Sequence, residues 1–207
     1  MHQSAAWMSN KDRGDRMKEK IQYVSVLVFL LIAASTAWAV SASDKDYSEE
    51  LENLRLFVPE DAQMRAYLGI KEKSGQISLD KIKTDILIIE IFSMYCPHCQ
   101  KHAPVANEFY QAIESNKDLR NKIRMIGIGV GNSPYEVGFF KEKYSPPFPL
   151  FDDRNSAVVN SFSGIRTPHY FGLKMKADST FEVFYSKAGG YTDAGEFLAM
   201  MVELSGI

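Results

Sequence analysis

The chain predicts an α/β fold built on one sheet with helices on both faces, and three observations carry that expectation. Two continuous apolar runs of strand length, Asp85 to Phe92 ("DILIIEIF") and Lys122 to Val130 ("KIRMIGIGV"), suit strands buried on both sides. Stretches with helical spacing follow each run. The full order then reads strand, helix, strand, helix, strand, helix, hairpin, helix, the alternation expected of a layered α/β domain. The 207 residues are 45% hydrophobic and 24% charged, with a formal net charge of -2 and no long basic block. That balance excludes nucleic acid as a partner, because neutralising phosphates takes clustered Lys and Arg.

Residues 1–42 read as an extension that is separate from the domain. Met17-Lys18-Glu19-Lys20 precedes an apolar run from Tyr23 to Ala34, and small residues follow to Ala37-Trp38-Ala39-Val40-Ser41-Ala42. A basic region, an apolar stretch and an A-x-A-like end make a secretory signal, with cleavage expected after Ala39 or Ala42. An uncleaved membrane anchor is the second reading, since Ile21 to Val40 is uncharged and about long enough to span a bilayer. Basic residues lie before the run and acidic ones after it, so both readings put residues 43–207 outside the cytoplasm, with the periplasm as the expected compartment. Met1 to Arg16 is polar and precedes a second plausible start at Met17.

Within 43–207, the charged stretch Ser43 to Lys73 reads as a docking arm carrying a short helix from Asp61 to Leu68, closed by Gly69. Gln76 to Leu79 is a candidate edge strand. Asp85 to Phe92 carries one acid, Glu90, in an Ile-rich strand. Lys101 to Glu114 has helical spacing, with Ala103, Ala106, Phe109, Tyr110 and Ile113 on the apolar side. Ser133, Pro134 and Glu136 supply the cap, first position and capping-box acid of a helix reaching Tyr144. After "SPPFP" come a short strand at Leu150-Phe151 and a small helix from Asn155 to Phe162, stopped near Gly164. His169 to Lys174 and Thr180 to Tyr185 form a hairpin about Ala177-Asp178-Ser179. Asp193 to Leu204 closes the chain as a helix with Phe197, Leu198, Met201 and Leu204 on one face.

The chemistry lies in "FSMYCPHCQKHAP", which holds the chain's two cysteines, Cys96 and Cys99. Cys-Pro-His-Cys places two thiols three positions apart at a helix N-terminus, where free N–H groups and the helix dipole favour a thiolate on the earlier sulfur. Cys96 is therefore the expected nucleophile and Cys99 the resolving thiol. Pro97 suits the first helical turn, and a protonated His98 would further stabilise the Cys96 thiolate. Stabilising the reduced form makes the disulfide a stronger oxidant.

The Cys-x-x-Cys after a buried strand resembles the thioredoxin superfamily over most of residues 43–207. Four features carry the resemblance. Glu90, six positions before Cys96, stands where that family keeps a buried acid that handles the proton of the resolving cysteine. Pro104 stands where the active-site helix is kinked, Thr167-Pro168 resembles the cis-proline that holds substrate backbone, and the terminal hairpin and helix match. "EIFSMYCPHCQ" is similar to the DsbA oxidases, but only 72 positions separate Cys96 from Pro168, too few for their inserted helical domain. The layout instead resembles the exported TlpA and ResA group, with Tyr95 where those proteins usually carry Trp. The resemblance implies a central mixed sheet, a thiol-disulfide oxidoreductase acting on protein thiols or disulfides, no cofactor, and a membrane redox partner.

The same residues are open to other chemistries. A c-type haem needs His where this chain has Gln100. Ser93-x-x-Cys96 echoes the Thr-x-x-Cys of peroxiredoxins, which keeps a peroxidase open, although Ile89 stands where that family has Pro. Cys96, Cys99, His102 and His169 are the candidate ligands of a metal site resembling the copper-delivering Sco proteins, provided all four converge. Otherwise His102 reads as a solvated or helix-packing side chain, and His169 as a packing or substrate-touching one.

Overall fold

The computed structural model describes residues 45–207, so the expected signal or anchor within 1–42 lies outside the described residues. In chain order the elements are α1 (Ser48–Asn53), β1 (Leu56–Phe57), α2 (Ala62–Leu68), β2 (Gln76–Ile77), a 3-10 turn (Leu79–Lys81), β3 (Ile86–Phe92) and α3 (Pro97–Ser115). Next come β4 (Ile123–Gly129), α4 (Pro134–Tyr144), β5 (Leu150–Asp152), α5 (Ala157–Ser161), β6 (His169–Met175), β7 (Phe181–Ala188) and α6 (Ala194–Ser205). Among the described residues, no helix is long and apolar enough to cross a membrane.

Five strands form one mixed sheet in the order β5-β4-β3-β6-β7. β3 runs parallel to β4, which runs parallel to β5, while β6 is antiparallel to both β3 and β7. Every residue of β3 is buried, which explains its unbroken apolar spelling: a central strand covered on both faces has no solvent side to alternate toward. Ile86, Ile88 and Tyr170 face α3 and α6, packing on Ala106, Phe109 and Phe197. Leu87, Ile89 and Ile91 face the other way, into a cluster with Ile126, Ile128, Phe171, Val158 and Phe162. The result is the thioredoxin-like α/β architecture that the sequence predicts.

The local signals hold where they rest on backbone chemistry. Ser133 and Glu136 form the reciprocal capping box of α4, with Pro134 in its first turn. Asp61 caps α2 and Gly69 ends it in the left-handed conformation, as a residue without Cβ readily does. α3 starts at Pro97 with Cys96 as its cap, as the Cys-Pro-His-Cys spelling predicts, ahead of the apolar spacing that begins at Lys101. β7 runs on to Ala188, following the register of β6.

Three expectations are corrected. From Lys45 onward the expected docking arm is not an arm, since Tyr47, Leu51, Leu54, Leu56, Leu68 and Ile70 are all buried in the cluster that covers the second face of the sheet. Its charges alternate with apolar residues that turn inward, so charge density alone misreads it. Gln76 and Ile77 pair with β1 in a separate two-stranded sheet, and Leu79 already belongs to the 3-10 turn. On α6, Leu204 is half exposed, and Ser205 is buried beside Phe197 and Met201 instead.

Candidate active site

β3 delivers the site. It ends at Phe92, and the loop Ser93 to Tyr95 carries the chain to Cys96, whose Sγ accepts the N–H of Cys99 at 3.4 Å as the cap of α3. Two side chains pin that loop. Asn132, buried after β4, accepts the Met94 N–H through its Oδ1 at 2.7 Å, and the Gln100 side-chain amide donates to the Met94 carbonyl at 2.7 Å. Tyr95 is largely exposed, its hydroxyl donating to Glu136 of the α4 capping box. Sequence reasoning used Gln100 only against haem and passed over Asn132. The local signal was a polar residue in the turn between a buried strand and a capped helix.

Both cysteines are free thiols, Cys96 half-buried and Cys99 buried, and their surroundings drive them apart. Partial burial opposes charge on Cys96, yet the Thr167 and Cys99 side chains and the Cys99 and His98 N–H groups together outweigh it, holding the pKa below that of an ordinary thiol. Burial dominates at Cys99 and pushes its thiol well up. Cys96 thus has the character of a nucleophile, and Cys99 that of a thiol needing a base. His98 is exposed, and its backbone N–H is what reaches Cys96. Pro97 occupies the first turn and Pro104 lies farther along the same helix.

Thr167 and Pro168 come from the loop before β6, joined by a cis peptide bond. The Cys96 thiol lies 3.3 Å from the Thr167 carbonyl, to which it donates. Glu90 is buried in β3, opposite Gly127 on one side and Tyr170 on the other. Strand alternation sets it on the α3 face, between Ile88 and Phe92. Burial pushes its carboxyl up to about 7, against a hydrogen bond from Tyr170 that lowers it. Cys96, Cys99, His98, Thr167 and Pro168 therefore meet at the N-terminus of α3, while Glu90 lies within β3, two residues before its end and on the α3 face.

A groove of about 640 Å³ opens beside the dithiol, lined by His98, Lys101, His102, Arg166, Thr167 and Pro168 together with Gly189 to Thr192. The candidate metal ligands do not converge there. His102 is buried on the α3 face against Tyr170 and Tyr191, whereas His169 lies on the opposite face, packed on Tyr47 and Phe171, 3.0 Å from the Ser186 hydroxyl. Adjacent strand residues point to opposite faces, which is why His169 and Tyr170 part company. Among the described residues, no group of three or more His, Cys, Asp or Glu is placed to hold a metal ion.

The model of the AhpC/TSA family matches residues 61–183, from the helix α2 through the dithiol and the cis-proline into β7. Curated proteins yield no match. Among solved structures, a secreted Mycobacterium tuberculosis disulfide oxidoreductase described as homologous to E. coli DsbE is similar at 13% identity and a TM-score of 0.49, over 75% of this chain and 98% of that one. StoA from Bacillus subtilis is similar at 22% identity and a TM-score of 0.48, over 63% and 90%. A thiol-disulfide isomerase from Corynebacterium glutamicum is similar at 17% identity and a TM-score of 0.48, over 63% and 87%.

Proposed function

The chain belongs to the AhpC/TSA family, and from that footing we propose that it is a thiol-disulfide oxidoreductase that acts on protein thiols or disulfides outside the cytoplasm. The observation that carries this reading is the opposed pair: a Cys96 sulfur with lowered pKa at a helix cap, three residues from a buried Cys99 with raised pKa. A Cys96 thiolate attacks a substrate disulfide, forming a Cys96–substrate disulfide and releasing one substrate thiolate. Glu90 takes the Cys99 proton, the Cys99 thiolate attacks Cys96, and the second substrate sulfur leaves as thiolate. Run backwards, the same steps oxidise a substrate dithiol.

Thr167 and Pro168 border the groove, where an extended substrate segment would lie along their backbone. No cofactor is required, because the electrons reside in the Cys96–Cys99 pair. A membrane redox partner would reload the pair, and the signal-like or anchor-like stretch within 1–42 supports an extracytoplasmic, periplasmic setting. The TlpA- and ResA-like layout, together with the DsbA-like dipeptide Pro97-His98, leaves both directions chemically accessible. The reduction potential assigns one: about -270 mV points to a reductase and about -120 mV to an oxidase.

The test is exchange with a model disulfide followed by mass spectrometry. Cys96→Ala should abolish exchange, and Cys99→Ser should accumulate a mixed disulfide on Cys96. Exchange that persists in Cys96→Ala overturns the reading. A peroxidase is the second reading, favoured by the family match and by Ser93-x-x-Cys96. Ser93 Oγ, however, accepts the Tyr95 N–H at 3.4 Å. Rapid peroxide consumption by Cys99→Ser would favour the peroxidase.

A further inference from the structure

A buried acid that accepts a proton in every cycle has to release it, and Glu90 is only 4% exposed. Its carboxyl sits beside the side chain of Tyr170, its cross-strand partner in the antiparallel β3–β6 pair, whose hydroxyl draws the carboxyl's pKa down. That hydroxyl lies 3.2 Å from Nδ1 of His102, three positions past Cys99 on α3. On the far side of the ring, Nε2 lies 3.0 Å from the Tyr191 carbonyl and 3.1 Å from the Tyr191 N–H. One nitrogen cannot donate and accept at once, so these two contacts belong to two tautomers.

We propose that Tyr170 and His102 form the proton path between the buried Glu90 carboxyl and the solvent of the groove. Resting on the thiol-disulfide reading, this gives both side chains a positioning role in the step performed by Cys99. With Glu90 protonated, the carboxyl donates to the Tyr170 oxygen, the Tyr170 hydroxyl donates to Nδ1, and Nε2–H donates to the Tyr191 carbonyl. With Glu90 ionised, every bond reverses: Tyr170 donates to the carboxylate, Nδ1–H donates to Tyr170, and Nε2 accepts the Tyr191 N–H. Passing from the first state to the second moves one proton from Glu90 to Tyr170, one from Tyr170 to Nδ1, and one from Nε2 to water. One proton leaves Glu90, one reaches solvent, and no other bond changes.

Two features of the site support this path. His102 borders the groove, and Gly190 packs against the Cδ2–Nε2 edge of its ring so closely that a Cβ there would overlap the imidazole. Burial lowers the His102 pKa and so favours the neutral ring that tautomer exchange requires. Around the path stand Glu108 on α3, Tyr185 on β7 and Tyr191, with His98, Lys101 and Arg166 at the groove. Tyr170 and Tyr191 have their pKa values pushed up by burial first and by Glu90 next. The Tyr170 hydroxyl therefore passes a proton without holding charge.

The test is a mixed disulfide between Cys96 and a chromophoric aromatic thiol, prepared on the full chain. Release of that thiol reports Cys99 attack. Tyr170→Phe keeps the ring among its aromatic neighbours and deletes only the hydroxyl. Both Tyr170→Phe and His102→Ala are expected to slow release by about tenfold or more in dilute buffer, within the range of general acid-base contributions. Added imidazole should restore His102→Ala in proportion to its concentration and leave Tyr170→Phe slow. Release at the wild-type rate in either variant overturns the path, as does slowing in His102→Ala that imidazole does not relieve. Should Tyr170→Phe fail to fold, the imidazole response of His102→Ala decides alone. Slow release confined to Glu90→Gln would remove the path and leave the dithiol chemistry standing, whereas exchange without Cys96 would remove the chemistry itself.

Discussion

Glu90 sits in a strand otherwise made of Ile, Leu and Phe, and its burial couples stability to pH in a definite direction. A free glutamate loses its proton near pH 4.5, while the folded protein holds the Glu90 proton until about pH 7. Between those values the native state binds a proton that the unfolded chain has released, so stability falls as pH rises. The contribution is complete below about pH 4.5 and gone above about pH 7, an effect on the order of 3 kcal/mol for a shift of that size. Glu90→Gln removes the titration. Urea midpoints should therefore fall from acid to neutral pH in the wild type and change less in Glu90→Gln. Parallel profiles in the two proteins would show that Glu90 ionises normally. Resolution by Cys99 should run the opposite way in the wild type, accelerating through about pH 7 as the carboxylate forms, with that rise missing in Glu90→Gln when release of a Cys96-bound thiol is followed.

At the scale of elements, the loop that carries Cys96 depends on its neighbours more than on its own sequence. Asp153, buried after β5, accepts the Gly131 and Val159 N–H groups at Oδ2, both at 2.9 Å, and the Val158 N–H at Oδ1 at 2.8 Å. Its own N–H donates to the Asn132 carbonyl at 2.8 Å, and Asn132 holds Met94. One carboxylate thus ties α5, the turn after β4 and the active-site loop together. Asp153→Asn would turn an NH2 toward N–H donors and leave part of this set unpaired, at a cost of about 1–3 kcal/mol. Urea unfolding measures it, and an unchanged midpoint would mean that the network rearranges freely. Caps, strands and the dithiol turn were legible in the sequence because each is local: Ser133 with Glu136, Asp61 with Gly69, and Cys96 ahead of Pro97. The partnerships of Asn132 with Met94, Asp153 with Gly131, and Tyr170 with His102 span 22 to 68 positions, and no spacing rule encodes them. Glu90 was legible as an acid in an apolar strand, yet its partner Tyr170 became visible only once the β3–β6 register was known.

For the whole molecule, the decisive question is whether the segment from Tyr47 to Ile70 is part of the cooperative unit. Charged residues made it read as an arm, but Leu51, Leu56 and Leu68 are buried to within 1% of completely, in one cluster with Ile89, Ile91 and Phe171. α3 and α6 cover only one face of the sheet. Without the N-terminal segment, only α5 and the residues around the 3-10 turn would be left to cover the other face, and part of Leu87, Ile89 and Ile91 would meet water, apolar surface of the kind soluble monomers keep small. The cis-proline loop and the end of β3 lie on that same sheet, so the segment also fixes the floor of the active site. Leu51→Ala is accordingly expected to cost about 2–5 kcal/mol, the range for a leucine deleted from a packed interior. It should do so within a single transition that is shared by aromatic fluorescence and backbone circular dichroism. A separable arm would give a different result: a midpoint unmoved by Leu51→Ala, or an early transition that leaves disulfide exchange by Cys96 intact.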